Sequence, residues 1–167
     1  MAGMEKAGHA AGIFGYTGNH RQDVRVYIVK HFNEPFNRGR LYALDPFPVS
    51  RSEQTSEPNS PIGSGTYTGP AVRHVTKLLA ARQEATKVLF VLTDSDHQSS
   101  YDGEYATADV HMAFLEARQR TVHPFAISFG NAGPDALSQM YGRDFITIKR
   151  PEELIQHLPR IYMATVR

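Results

Sequence analysis

The stretch Lys87 to Asp96, KVLFVLTDSD, decides the fold. From Lys87 to Thr93 it is a continuous apolar run of strand length, the pattern of a central strand covered on both faces. It ends in Asp94-Ser95-Asp96, so carboxylates follow the strand at once.

Upstream, Ala71, Val72, Val75, Leu78 and Leu79 recur at helical spacing from Pro70, with Arg73, His74, Lys77 and Arg82 opposite. This predicts an amphipathic helix to about Glu84. Downstream, Tyr105 to Arg120 carries Ala106, Val110, Ala113 and Ala117 on one helical face, and Val122 to Phe129 (VHPFAISF) reads as a second buried strand. A short helix over Pro134 to Tyr141, a strand over Asp144 to Ile148 and a helix from Pro151 complete the order. In the last helix Leu154, Leu158 and Ile161 form the apolar stripe, Glu152 and Glu153 offset the dipole, and Pro159 should kink it.

Strand and helix alternate throughout this half, which argues for a parallel sheet with right-handed crossovers. In open sheets of this kind the site lies at the C-terminal strand ends. Those ends carry Thr93, Asp94, Gly130 and Asn131, with Thr17 ending the first strand of the other half. There Ala10 to Thr17 and Asp23 to Phe32 read as an antiparallel hairpin at the sheet edge, reversing at Gly18-Asn19. In its second strand Val24, Val26 and Ile28 share one face and Arg25, Tyr27 and Val29 the other. Phe36 to Leu44 is expected to form a short helix, and residues 45–65, rich in Pro, Ser and Gly, a long flexible loop.

The 167 residues are 41% hydrophobic and 21% charged, the balance of an ordinary globular protein, and one domain over 1–167 is the expectation. Cysteine is absent, which excludes disulfides, thiolate metal sites and cysteine nucleophiles. Without an apolar run of membrane length or a signal-like N-terminus, the expected location is the cytoplasm. The net charge of +1, with scattered Lys and Arg, argues against nucleic acid as a partner. There is no phosphate-binding glycine loop of the Walker type, so any ATP hydrolysis belongs to a partner.

The segments GTYTGPAVRHVTKLLA and KVLFVLTDSD resemble the metal-ion-dependent adhesion site of a von Willebrand factor A (VWA) domain. One branch is especially similar: the nitric-oxide-reductase activation (NorD-like) proteins and the related rubisco-activation (CbbO-like) proteins. The features are GYTGNHRQDVRVYIVKHFNEPF, GTYTGPAVRH, VLTD followed by DGEYATADVHMAFLEAR, TVHPFAIS and PEELIQHLPRIY, together covering about Ala11 to Tyr162. The resemblance implies an α/β fold, a Rossmann-like, mostly parallel sheet with an antiparallel edge strand, flanked by helices. It matches Thr66 and Asp94 to the family's metal-binding threonine and aspartate. It further implies a non-enzymatic interaction module in the cytoplasm that serves a MoxR-type AAA+ ATPase and its client, a metalloenzyme or rubisco.

Two departures stand against the family pattern. The first strand, with its Asp-x-Ser-x-Ser motif, is missing, and Asp94 is followed by Ser95 rather than glycine. A divalent cation such as Mg2+ wants about six oxygen ligands, and Thr66 with Asp94 supplies two. The expectation is a weak or incomplete site, with Ser64, Asp96 and His97 as further candidate ligands. The missing strand belongs beside the strand over 87–93. It can come from the rest of a longer protein or from another chain, including a second copy, or the sheet can close without it.

The bland and sharp readings differ most at Asp94-Ser95-Asp96. As a nucleophile and general acid the two aspartates would make a small metal-dependent hydrolase. The other strand ends show no supporting carboxylates, only Gly130, Asn131 and Lys149. A degenerate scaffold acting by surface contacts alone is the other alternative. His74, His111 and His157 read as surface residues, while Tyr101, Asp102, Glu104 and Tyr105 are placed to line the loop after Asp94.

Overall fold

The computed structural model describes residues 8–35, 65–94, 103–129, 132–150 and 152–165. They divide into two compact units, Met1–Gly65 and Thr66–Arg167. The short helix expected at Phe36 to Leu44 and the loop over 45–64 lie outside the described residues.

In the first unit β1 (Ile13–His20) and β2 (Asp23–Lys30) pair antiparallel, joined by Arg21 and Gln22. The reversal therefore falls three residues after Gly18-Asn19. Asn19 is instead an extra residue in a bulge, between the pairs Gly18↔Val24 and His20↔Asp23, and its side-chain amide donates to Asp23 Oδ2 at 2.9 Å. Gly18 exchanges backbone hydrogen bonds with Gly65 at 3.0 and 2.9 Å, so the final residue of the expected 45–65 loop is bridged to β1.

A second bulge ends the regular alternation of β2 after Ile28. The register steps from Ile13↔Lys30 to Phe14↔Ile28, which leaves Val29 unpaired in the ladder. Alternation breaks there, burying Val29 and Lys30 while Ile28 is 56% exposed. Lys30 is kept soluble in this burial by donating its Nζ to the carbonyls of Ala11 and His31, at 2.5 and 3.3 Å.

The second unit holds α1 (Thr68–Ala80), β3 (Lys87–Thr93), α2 (Gly103–Gln119), β4 (Val122–Ser128), α3 (Pro134–Tyr141), β5 (Phe145–Thr147) and α4 (Glu153–Thr165). β3, β4 and β5 form a parallel sheet in that order, with Lys87↔Val122 through Thr93↔Ser128 in register. The alternation expected from sequence is thus realised. α1 stops four residues short of Glu84, because Arg82 N–H bonds the Leu79 carbonyl in a tightened last turn and Arg82 then pairs with Glu84 at 2.6 Å. α3 ends on Gly142 at φ +69°, a left-handed cap whose N–H reaches the Ser138 carbonyl at 2.9 Å. Pro159 lies inside α4, which is assigned as one continuous helix.

One expectation needs correction: β4, not β3, is the central strand. β4 has neighbours on both sides and buries Val122, Ala126 and Ile127 completely. β3 has one hydrogen-bonded neighbour among the described residues, and its Leu92 is 48% exposed.

The main core cluster lies on one face of the sheet. Val72 of α1, Val110, Ala113 and Phe114 of α2, and Leu137, Met140 and Tyr141 of α3 pack with Val91 and Ala126. The close approach of α1 to α2 depends on Gly69: a Cβ there would sit 2.0 Å from Asp109 Oδ2. Asp109 is held in turn by Arg73 at 2.6 Å, and Arg73 also reaches Glu116 at 2.7 Å. Burial opposes the Arg73 cation, but the hydrogen bonds it donates to Glu116 and Asp109 outweigh that and raise the guanidinium above its ordinary value.

Gly69→Ala would gain about 1 kcal/mol of helix propensity and lose more by displacing Asp109 from Arg73. The expected net loss is about 1–2 kcal/mol by urea denaturation. In an Asp109→Ala background the same change should be neutral or stabilising, and equal losses in both backgrounds would refute the clash.

Candidate functional site

α1 leads into β3 through residues 81–86, so the helix runs back against the strand and its N-terminus returns to the strand's C-terminal end. Thirteen helical residues rise about 20 Å and seven strand residues about 23 Å, so the two ends lie at similar height. Thr66, Tyr67 and Thr68 therefore share a pole of the second unit with Thr93 and Asp94. β4 ends at the same pole in Ser128, the register partner of Thr93.

This pole has a buried layer and an exposed one. Thr68 at the start of α1, and Thr93 and Ser128 at the strand ends, are 0%, 6% and 0% exposed, each with an interaction partner. The backbone continues the layer: Phe129 N–H donates to the Thr93 carbonyl at 2.8 Å, and Ile148 N–H to that of Ser128 at 2.9 Å. Tyr67 is also buried, and burial pushes its hydroxyl up, which keeps it neutral. Asp94 is exposed and Thr66 half-buried.

Of the residues singled out in the sequence, Thr66 and Asp94 thus come to one pole. Glu104 and Tyr105 stand exposed at the start of α2, which follows the segment after Asp94. Ser64, Asp96, His97, Tyr101, Asp102, Gly130 and Asn131 lie outside the described residues. His74 is on the surface as expected, whereas His111 is half-buried, its Nδ1 without a hydrogen-bond partner among the described residues. Thr68 and Ser128 were not singled out. Their signal was a hydroxyl residue at each end of an apolar segment.

As a cation site the pole fits in donor type but not in number. A hydroxyl and a carboxylate are hard oxygen donors, yet an octahedral ion would need about four more. Among the described residues no group of three or more His, Cys, Asp or Glu is placed to hold a metal. No helix there is long and apolar enough to cross a membrane.

The von Willebrand factor type A domain model matches residues 49–157, more than half of the chain. The chain belongs to the von Willebrand factor A family. The match takes in the whole β3–β5 sheet and the segment entering α1, so the family assignment covers the pole carrying Thr66 and Asp94.

Among curated proteins the chain is 30% identical to protein NorD of Stutzerimonas stutzeri, across 90% of this chain and 23% of that protein. It is 31% identical to protein NorD of Brucella suis, across 96% of this chain and 24% of that protein. An uncharacterized protein of Pseudomonas aeruginosa is 27% identical over 95% of this chain and 24% of its own length. The chain spans about a quarter of the length of these relatives. No solved structure matches it.

Proposed function

We propose that this VWA domain is a non-enzymatic protein-interaction module that docks a MoxR-type AAA+ ATPase, or its client, through the strand-end pole. Activation or maturation of a metalloenzyme, or of rubisco, is the downstream role, and the cytoplasm the place. The observation that carries the reading is Asp94, exposed directly after β3 at the pole where Thr66 enters α1. The similarity to NorD proteins along nearly the whole chain supports it.

Thr66 and Asp94 would hold a divalent cation such as Mg2+ weakly, and a carboxylate from the partner would add to its coordination. Ser64, Asp96 and His97 remain candidate ligands. The shortage of donors favours a second reading, a scaffold that binds partners by surface contacts without metal. The small metal-dependent hydrolase stands third, with Asp94 as its nucleophile.

Co-purification with the MoxR-type ATPase, in magnesium and in chelator, separates the first two readings. Asp94→Ala is expected to weaken magnesium-dependent binding at least tenfold, equivalent to about 1.4 kcal/mol. Its melting temperature should stay within a few degrees, since an exposed strand-end carboxylate adds little to the core. Binding indifferent to both chelator and Asp94→Ala would favour the scaffold, and phosphatase activity lost in the variant would favour the hydrolase.

A further inference from the structure

The end of the second unit away from Asp94 carries a cleft of about 540 Å³ between α4 and the start of β4. Its apolar lining is Pro124, Phe125, Ile161 and Ala164, and its polar lining is Arg118, His123, Asp144 and Arg160. The space exists because the sheet is covered unevenly. Alternation along β4 turns Ala126 toward the helical core and Phe125 to the opposite face, where α4 brings Ile161 and Ala164 against the cleft. α4 also leaves Ile155 and Met163 78% and 54% exposed.

The charges in the cleft are unequal. Asp144 is bound by the Arg118 guanidinium, so one carboxylate neutralises one of the two arginines. Arg160 has no hydrogen bond or ion pair among the described residues, and it is exposed at the cleft wall. A single guanidinium without a charge partner among the described residues, beside an apolar floor, matches one carboxylate and one apolar side chain better than a dianionic phosphate. The volume lies within the roughly 300–1,000 Å³ of small ligand sites, enough for two or three side chains.

The geometry points to a second binding site in this cleft, for an extended acidic segment of a partner protein in which a carboxylate neighbours an aromatic or branched apolar side chain. The carboxylate pairs with Arg160, in the fork geometry that suits guanidinium to carboxylate, and the apolar side chain covers Phe125 and Ile161. This site is separate from the strand-end pole and does not depend on the function proposed for it.

The chain contains no tryptophan, so the probe can carry the signal. The peptide acetyl-Asp-Trp-Asp-Leu-amide is titrated with the full chain, and its tryptophan emission is followed. The expected result is a saturable blue shift, with acetyl-Asn-Trp-Asn-Leu-amide binding about tenfold more weakly. Arg160→Glu should weaken the acidic peptide at least tenfold and Arg160→Gln by less, while Asp94→Ala leaves it unchanged. The proposal is overturned if nothing saturates, if the two peptides bind equally, or if Arg160→Glu binds like the parent. It is also overturned if the peptide fails to bind and sedimentation shows Arg160→Glu dissolving a dimer, because the cleft would then hold a second copy.

Discussion

Phe114→Ala is expected to destabilise the second unit by about 3–5 kcal/mol, a large part of the roughly 5–15 kcal/mol that holds a domain together. Phe114 is 0% exposed and sits in the core cluster formed by α1, α2, α3 and the sheet. Its ring meets Tyr141 at 5.0 Å between centroids, tilted at 51°, an arrangement that adds to simple burial. Truncation therefore removes apolar contacts to three elements and leaves a cavity walled by helices that the sheet holds in place. In urea the midpoint should fall with little change in slope. A loss below about 1 kcal/mol would mean that the helices close over the gap and that this core is not tightly packed. The contrast with Asp94→Ala is diagnostic, since one should destabilise the fold and the other should weaken binding while leaving the fold intact.

The second unit was legible in the sequence because each of its elements carries a strong local pattern. KVLFVLT and VHPFAIS are apolar runs of strand length, and they pair in full parallel register from Lys87↔Val122 onward. What could not be read was which of them is central. Both look alike in composition, and position in the sheet depends on a neighbour that the pattern of one strand does not reveal. The first unit was harder, because both of its misplacements come from bulges. An extra residue at Asn19 moved the turn and one at Val29 left the neighbours Val29 and Lys30 both buried, and alternation alone assumes no extra residues. At the candidate site, Thr66 and Asp94 were found through the resemblance, whereas Ser128 needed the strand register that pairs it with Thr93.

The edge of β3 that lacks a partner strand among the described residues gives the other large expected effect: the chain should self-associate in a concentration-dependent way. β3 is seven residues long and hydrogen-bonded to β4 alone among the described residues, so backbone groups on its outer edge are available as a template for another strand. Leu92 enlarges the hazard, because nearly half of its surface faces solvent on that strand. Two copies related by a two-fold axis could pair their β3 strands antiparallel, which closes the assembly at a dimer. A charged side chain on an edge strand opposes such pairing, since it would have to be desolvated or brought near its symmetry mate. Leu92→Lys should accordingly weaken the dimer at least tenfold in sedimentation, and its partial exposure should keep the cost to folding small. A strand supplied by the rest of a longer protein or by a partner would compete for the same edge, so adding it should dissolve the dimer as the lysine does. A parent chain that stays monomeric at high concentration, with Leu92→Lys indistinguishable from it, would show that the edge is closed by a segment of the chain itself.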